Sequence, residues 1–136
     1  MKRIVFTVDG TPQPQGSMKN VAKLGRRSKL ISANSAMKPW REQVGYAALA
    51  ARPTATIWAG RHVPVKVMLY FTFERRGKAA RSRRVPSVRP DIDKLCRACL
   101  DAMTGILWED DGQVTDLTAS KTYGSSSGLA AIVEIL

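Results

Sequence analysis

The spacing of hydrophobic and polar residues along the chain predicts four strands and a first helix. Residues 3–8 and 63–73 are dense in β-branched and aromatic residues, and each stretch predicts a strand. Residues 35–51 carry an apolar stripe at helical spacing, which predicts a helix. Residues 113–122 and 129–136 predict two further strands, and the Gly- and Ser-rich connection between them favours pairing as a hairpin.

The clearest element is a second helix that follows residue 90. Its apolar positions recur every three or four residues and form one continuous stripe, made of Ile92, Leu95, Cys96, Cys99, Leu100 and Met103. Gly105 follows as a C-cap. The order β-α-β-α-β-β predicts an α+β fold. We expect a single domain over residues 1–136, in which two main helices pack on a mixed or largely antiparallel sheet.

Two connections, residues 10–34 and 74–89, are strongly basic and have no sustained apolar period, so both are expected to be loops. The cations of the second loop repel one another, and we expect it to become ordered only when an anion binds. Residues 1–90 hold 19 Lys and Arg against 3 Asp and Glu, whereas residues 91–136 hold 3 against 8. A basic body of this kind binds polyanions such as nucleic acids.

Composition excludes several other classes of protein. None of the 136 residues belongs to a run of about 20 apolar positions, and the N-terminus predicts a strand rather than a signal peptide, so a cytoplasmic protein without a membrane partner is expected. Cys96 and Cys99 are too few for a disulfide framework, and His62, the single histidine, leaves a zinc site short of ligands. Both cysteines are expected to pack in the core.

Four carboxylates bracket the second helix. Asp91 and Asp93 stand at its start, and Asp110 and Asp111 follow its end. The two pairs would be about 20 Å apart along the helix axis, so they can meet only if the chain turns back beside the helix. The alternative is structural: Asp91 as an N-cap, Asp93 in an ion pair with Arg97, and residues 110–112 as a turn.

Clustered carboxylates suit hydrolysis of a phosphodiester. They bind Mg²⁺ or Mn²⁺ as hard oxygen ligands and leave coordination places for water and phosphate. A metal held in this way activates water and stabilises the leaving oxygen. Lys94, Arg97 and Lys121 are the basic residues after position 90, and any that face the carboxylates could hold the scissile phosphate.

The sequence resembles a known family at these positions. Residues 90–105 (PDIDKLCRACLDAMTG), 108–114 (WEDDGQV) and 121–124 (KTYG) are similar to the RusA-type Holliday junction resolvases of bacteria and their phages. That family has a D-x-D-N-x-x-K motif at the start of a helix, an L/V-D-A-L-x-G motif at its end, and a D-D-x-Q-V turn. Arg97 stands at the family's lysine position, and Lys94 stands where the family usually has asparagine.

The resemblance implies a homodimeric, Mg²⁺-dependent (or Mn²⁺-dependent) endonuclease that resolves four-way DNA junctions by paired symmetric cuts. It implies that Asp91, Asp93 and Asp111 are catalytic metal ligands, with Asp110 as an accessory ligand and Arg97 and Lys94 as candidate catalytic cations. A bacterial cytoplasm, with a phage or prophage origin possible, fits this family.

The basic connections are the predicted DNA-binding surface, which grips branched duplex DNA by its phosphate backbone. The candidate DNA-binding residues are Arg26, Arg27, Arg75, Arg76, Lys78, Arg81, Arg83, Arg84, Arg89 and Lys121. The alternative interpretation is a non-catalytic protein that binds DNA junctions, in which the acidic residues serve only as caps and turns.

Overall fold

The computed structural model describes residues 2–16, 19–20, 30–31 and 35–136. Within these ranges the secondary-structure elements follow in chain order: β1 (Arg3–Asp9), β2 (Lys19–Asn20), β3 (Leu30–Ile31), α1 (Met37–Ala51), β4 (Val65–Glu74), α2 (Gly77–Arg81), α3 (Ile92–Met103), β5 (Val114–Gly124) and β6 (Gly128–Ile135). A short 3-10 turn, Asp111–Gln113, leads into β5.

The main sheet has four strands in the order β1-β6-β4-β5. β6 pairs antiparallel with both β1 and β4, whereas β4 and β5 are parallel. The sheet is therefore mixed, and the predicted α+β class with two main helices is confirmed. β2 and β3 form a separate antiparallel pair.

The core lies between one face of this sheet and the two long helices. Alternate residues of β1 are buried, as a strand with one solvated face requires, and β4 buries Val65, Val67, Leu69 and Phe71 completely. α1 packs on β1 and α3, and α3 packs on β5. Both cysteines of α3 lie in this core, as predicted.

The predicted hairpin between the last two strands is wrong. β5 and β6 run in opposite directions, but β4 lies between them. The Gly- and Ser-rich connection predicts only that the chain reverses direction between β5 and β6. It does not determine which strands are neighbours in the sheet. β4 is the most completely buried strand, so it takes the position with a partner on each side. α3 forms the crossover that a parallel β4–β5 pair requires.

The two basic connections also differ from the prediction. Residues 74–89 contain the short helix α2, and residues 10–34 contain the short strands β2 and β3, so neither connection is wholly irregular. The other predicted elements are confirmed to within two residues at each end. No helix of the described residues is both long and apolar enough to pass through a bilayer.

Candidate functional site

The first carboxylate pair lies at the N-terminus of α3, as predicted. Asp91 is the N-cap residue and Asp93 lies in the first turn. Lys94 Nζ lies 3.0 Å from Asp91 Oδ2. The hydrogen bond and positive charge of Lys94, with smaller contributions from Arg89 and Lys121, hold the pKa of Asp91 below its usual value. Asp91 is therefore an ionised carboxylate in an exposed ion pair.

The segment that leads into α3 is held by Lys121 of β5. Its ammonium donates hydrogen bonds to the carbonyl oxygens of Val88 (2.7 Å) and Pro90 (2.8 Å). These contacts fix the chain immediately before Asp91. Lys121, which the sequence predicts as a DNA-binding residue, therefore also positions the start of α3.

Asp111 is held at the opposite end of α3. Its Oδ1 accepts a hydrogen bond from the hydroxyl of Thr104, the C-cap residue of α3. Thr104 Oγ1 in turn accepts a hydrogen bond of 2.9 Å from the indole N–H of Trp108, whose side chain is completely buried. The same Thr104 hydroxyl also lies 2.7 Å from the carbonyl oxygen of Leu100. The buried Trp108 thus fixes the Thr104 hydroxyl that orients Asp111.

If the two carboxylate pairs were to meet within one chain, the connection between α3 and Asp111 would have to run back beside the helix. It does not. The N–H groups of Ile106 and Leu107 donate to the carbonyl of Met103, and that of Gly105 donates to the carbonyl of Trp108, so residues 104–108 form a compact turn at the helix end. Asp93 and Thr104 are about 16 Å apart along the helix axis at 1.5 Å per residue. The first-turn carboxylate and Asp111 are therefore separated by most of the length of α3.

An open cleft of about 690 Å³ follows α3 between these two ends. One side of α3 supplies Asp93, Arg97 and Asp101 to its lining, and Asp111 lines it as well. The remaining lining residues are Gln15, Ile92, Cys96, Leu100, Leu117 and Ala119. The predicted residues Asp93, Arg97 and Asp111 therefore share one surface, whereas Asp91 and Lys94 are absent from its lining.

The Asp93–Arg97 ion pair of the structural alternative does not form between these described residues. Among the described residues, salt bridges join Lys94 to Asp91 and Arg76 to Glu74. In the same part of the chain, no group of three or more His, Cys, Asp or Glu side chains could hold a metal ion. The oxygen donors have the right chemistry for Mg²⁺, but their placement within one chain does not fit a shared ion.

Gln113 anchors the turn that carries Asp110 and Asp111. It is buried, and its Oε1 accepts hydrogen bonds from the backbone N–H groups of Glu109 (2.9 Å) and Asp110 (3.0 Å). Its Nε2 faces the carbonyl oxygens of residues 59, 60 and 63, at 3.2, 2.8 and 3.0 Å. Asp110 itself faces a different depression from Asp111, beside Arg61 and His62.

The basic segment 74–89 is organised by Arg75. Its guanidinium lies 4.3 Å from the centre of the Tyr123 ring, and Nη1 donates hydrogen bonds to the carbonyl oxygens of Ala80 (2.8 Å) and Arg83 (2.5 Å). These contacts hold α2 and the following turn against β5. Arg75 is thus occupied by internal contacts, although the sequence alone ranks it with the other DNA-binding candidates.

A basic pocket of about 190 Å³ lies between this segment and the end of β5. Arg76, Arg83, Arg89 and Lys121 line it, together with Tyr123, and Glu74 is the acidic residue in the lining. Pro90 also lines the pocket and Ile92 lines the acidic cleft, so both depressions lie at the start of α3. Lys78, Arg81 and Arg84 are exposed outside the pocket. Arg26 and Arg27 lie outside the described residues.

Four residues that contribute to this arrangement are missing from the sequence-based prediction. Gln113 belongs to the D-D-x-Q-V motif, which is the signal that could have indicated a role for it. Thr104 is the C-cap residue of α3, and a threonine at that position does not by itself indicate a role in a functional site. Asp101 Oδ2 accepts a hydrogen bond of 2.5 Å from Gln15 Nε2, and no pattern in the sequence indicates this contact between residues far apart in the chain.

The α+β fold carries an acidic cleft beside a basic pocket, a combination typical of proteins that act on nucleic acids. The family described as Endodeoxyribonuclease RusA matches residues 9–135, nearly the whole chain. The chain therefore belongs to the RusA endodeoxyribonuclease family, a family of nucleases. It is also 27% identical over 139 residues to the uncharacterized protein YqaN of Bacillus subtilis (strain 168), a match that covers 98% of this chain and 96% of YqaN.

Proposed function

We propose that this protein is an endodeoxyribonuclease that cuts four-way DNA junctions during recombination and repair. The observation that carries the proposal is that the acidic cleft and the basic pocket both lie at the start of α3, in a chain that belongs to a nuclease family. A phosphate backbone held in the basic pocket would pass the carboxylates of α3. Recognition would then depend on the shape and charge of the junction rather than on base contacts.

Each part of the site has a distinct task in this proposal. The basic pocket, with Arg83 and Arg89, binds backbone phosphates. Arg97, which replaces the lysine usual in the family, offers a planar fork of donors to a phosphate in the cleft. Asp93 and Asp111 are the proposed catalytic carboxylates, and the Thr104 hydroxyl keeps Asp111 in one orientation.

Asp91 and Lys94 have a less direct place in the proposal. Their carboxylate and ammonium neutralise each other at the start of α3, so Asp91 must exchange this partner before it can act as a catalytic ligand. Asp110 faces away from the cleft and would serve as an accessory residue only.

We further propose a homodimer, because two opposed cuts in a four-way junction call for two sites related by a two-fold axis. We also propose that cleavage depends on Mg²⁺ or Mn²⁺, the ions that carboxylate oxygens prefer. The carboxylates of one chain do not gather around a single ion, and we therefore derive no step of the reaction from such an ion.

The separation of the carboxylates also favours a second candidate function. A protein whose Asp91 is paired with Lys94, and whose Asp111 is paired with Thr104, could bind junctions without cutting them. In that case the basic pocket would supply the affinity and the acidic residues would stabilise the ends of α3.

A cleavage assay separates the two candidates. Purified protein is incubated with a synthetic four-way junction in Mg²⁺ and, in parallel, in EDTA. Asp111→Asn should abolish cleavage and leave junction binding within about 2-fold, because the substitution changes charge at the cleft and not at the basic pocket. Asp116→Asn is the matched control, since Asp116 is an exposed carboxylate on β5 outside the cleft lining.

Paired symmetric cuts in Mg²⁺, lost in EDTA and in Asp111→Asn but kept in Asp116→Asn, would support the nuclease. Tight binding of the junction by every variant, with no cut under either condition, would support the non-catalytic protein instead.

A further inference from the structure

The basic pocket between residues 74–89 and the end of β5 has more space, and more apolar surface, than a phosphate group needs. Its volume of about 190 Å³ corresponds to roughly six water molecules. Cations make up only part of its lining. The apolar and aromatic residues that also line it are Phe73, Ala80, Pro86, Val88, Pro90 and Tyr123. This lining indicates a ligand that has an apolar part as well as a negative charge.

Two aromatic side chains lie next to each other in the pocket. Phe73 of β4 and Tyr123 of β5 are register partners on neighbouring strands, so their side chains lie on the same face of the sheet. The guanidinium of Arg75, which is not part of the lining, lies 4.3 Å from the centre of the Tyr123 ring and holds this ring in place. The two rings therefore form a preorganised surface against which a planar group can stack.

The cations of the pocket are placed to hold a phosphate beside these rings. Glu74, the acidic residue in the lining, is paired with Arg76 at 2.7 Å. Lys121 has three ammonium protons and donates to two backbone carbonyl oxygens, which leaves one proton for a ligand. Among the described residues, neither Arg83 nor Arg89 takes part in a salt bridge. The charge of these last three cations is therefore not cancelled by an acidic partner within the chain.

We propose that the basic pocket binds one unpaired nucleotide, with its base against Phe73 and Tyr123 and its phosphate on Arg83, Arg89 and Lys121. The inference rests on the proposed nuclease function and gives this pocket a more specific ligand than a phosphate of the backbone. Proteins that bind single-stranded nucleic acid combine cations and aromatic side chains in this way.

An unpaired nucleotide can come from two sources. In a continuous duplex both faces of each base are covered by the neighbouring bases, so no face is free to stack on the protein. At the centre of a four-way junction the stacks of the arms are interrupted, and a base there can be drawn out. Single-stranded DNA offers free bases along its whole length.

Binding of single strands with and without bases tests the pocket directly. Fluorescence anisotropy compares a short labelled oligothymidylate with a strand of the same length and charge that contains only abasic sites, in EDTA so that no strand is cut. We expect the wild-type protein to bind the strand with bases about 10-fold more tightly, because stacking of a base on an aromatic side chain contributes about this much. Equal affinity for the two strands would overturn the proposal.

Substitutions in the pocket separate the base from the phosphate. Phe73→Leu keeps an apolar side chain but removes the ring, and should reduce the preference for bases to about 2-fold without changing affinity for the abasic strand. Phe73→Tyr should restore the preference, because it restores the ring. Arg89→Gln should weaken binding of both strands by the same factor and leave the preference intact, because it removes a contact to phosphate.

Tyr70→Leu is the matched control for Phe73→Leu. Tyr70 is an exposed aromatic residue of the same strand, on the opposite face of the sheet and outside the pocket lining. Its replacement should leave the preference for bases at the wild-type value. A 10-fold preference that persists in Phe73→Leu, or one that is lost equally in Tyr70→Leu, would place the base elsewhere and contradict the proposal.

Abasic sites in a four-way junction identify the source of the nucleotide. One junction carries them next to the branch point, and a second carries the same number in the middle of its arms. If the base comes from the junction centre, only the central sites should weaken wild-type binding, by about 10-fold, and Phe73→Leu should bind both junctions equally. If neither set of sites weakens binding while the single strands keep their difference, the pocket takes its nucleotide from single-stranded DNA.

These measurements do not depend on cleavage, so they separate the nucleotide pocket from the proposed function. A protein that prefers the strand with bases but cuts no junction in Mg²⁺ defeats the proposed function alone. A protein that cuts junctions but binds both single strands equally defeats the nucleotide pocket alone.

Discussion

Replacement of Gln113 by leucine tests whether a single buried amide holds the turn that presents Asp111. Gln113 Oε1 accepts two backbone hydrogen bonds, and Nε2 has two protons for three nearby carbonyl oxygens. The side chain therefore makes about four effective hydrogen bonds, each of which contributes about 1 kcal/mol net. Leucine has a similar volume but neither donors nor acceptors. We expect the free energy of unfolding to fall by about 3 kcal/mol, after some recovery through burial of the leucine side chain.

Urea denaturation followed by circular dichroism measures this loss. With a denaturant dependence of about 2 kcal/mol/M, the midpoint should fall by about 1.5 M. Gln43→Leu is the matched control, because Gln43 is an exposed glutamine of α1 and its replacement should change stability by less than about 0.5 kcal/mol. Gln113→Glu should be at least as damaging as Gln113→Leu, because a carboxylate oxygen would face three carbonyl oxygens.

A loss below about 1 kcal/mol for Gln113→Leu would refute this reasoning, since it would mean that solvent satisfies the same backbone groups equally well. A large loss for Gln43→Leu would show instead that leucine on this protein is harmful for an unrelated reason.

The remaining predictions concern the site and the core. Thr104→Val should lower kcat about 10-fold at unchanged junction affinity, and Thr104→Ser should restore it, because only the hydroxyl orients Asp111; equal kcat in wild type and Thr104→Val would count against that role. Arg83→Gln should reduce the slope of log affinity against log salt by about 1, whereas Arg3→Gln, on the far edge of the sheet, should leave the slope unchanged; equal slopes for both variants would exclude a phosphate in the basic pocket. Burial raises the pKa of the Cys96 thiol from 9.0 to about 11, so unfolding becomes easier as pH rises from 9 towards 11, where only the unfolded chain ionises. Wild type should lose about 1–2 kcal/mol between pH 8 and pH 10.5 relative to Cys96→Ala in urea titrations, and parallel pH profiles for the two proteins would contradict the assignment.

Much of the fold follows from local patterns in the sequence. The apolar stripe of α3 and the dense β-branched residues of β4 depend only on neighbours a few positions away, and both elements lie where the patterns predict them. The α2 helix is different, because its residues have no apolar period and its position depends on the contacts of Arg75 with Tyr123 and with backbone carbonyls. A pattern of cations gives no information about which of them is held in this way.

The site was only partly predictable for the same reason. The motif residues identify Asp93 and Asp111 as candidates, and the D-D-x-Q-V resemblance reaches Gln113, but hydrogen-bond partners far apart in the chain cannot be derived from spacing. Gln15 and Asp101, which are joined by a hydrogen bond of 2.5 Å, are the clearest example.

Patterns in the sequence are enough to identify the family, the α+β class, the segregation of basic and acidic residues, and the helix that carries Asp93 at its start. Three features emerge only from the folded chain: β4 separates β5 from β6, the turn after α3 keeps Asp111 at the far end of the helix, and Lys121 and Arg75 make contacts that stabilise the fold. Short-range steric and hydrophobic preferences act between neighbours in the chain, so they are visible in sequence. Strand adjacency and the meeting of distant side chains depend on how the whole core is filled, and that is settled only when the complete chain packs.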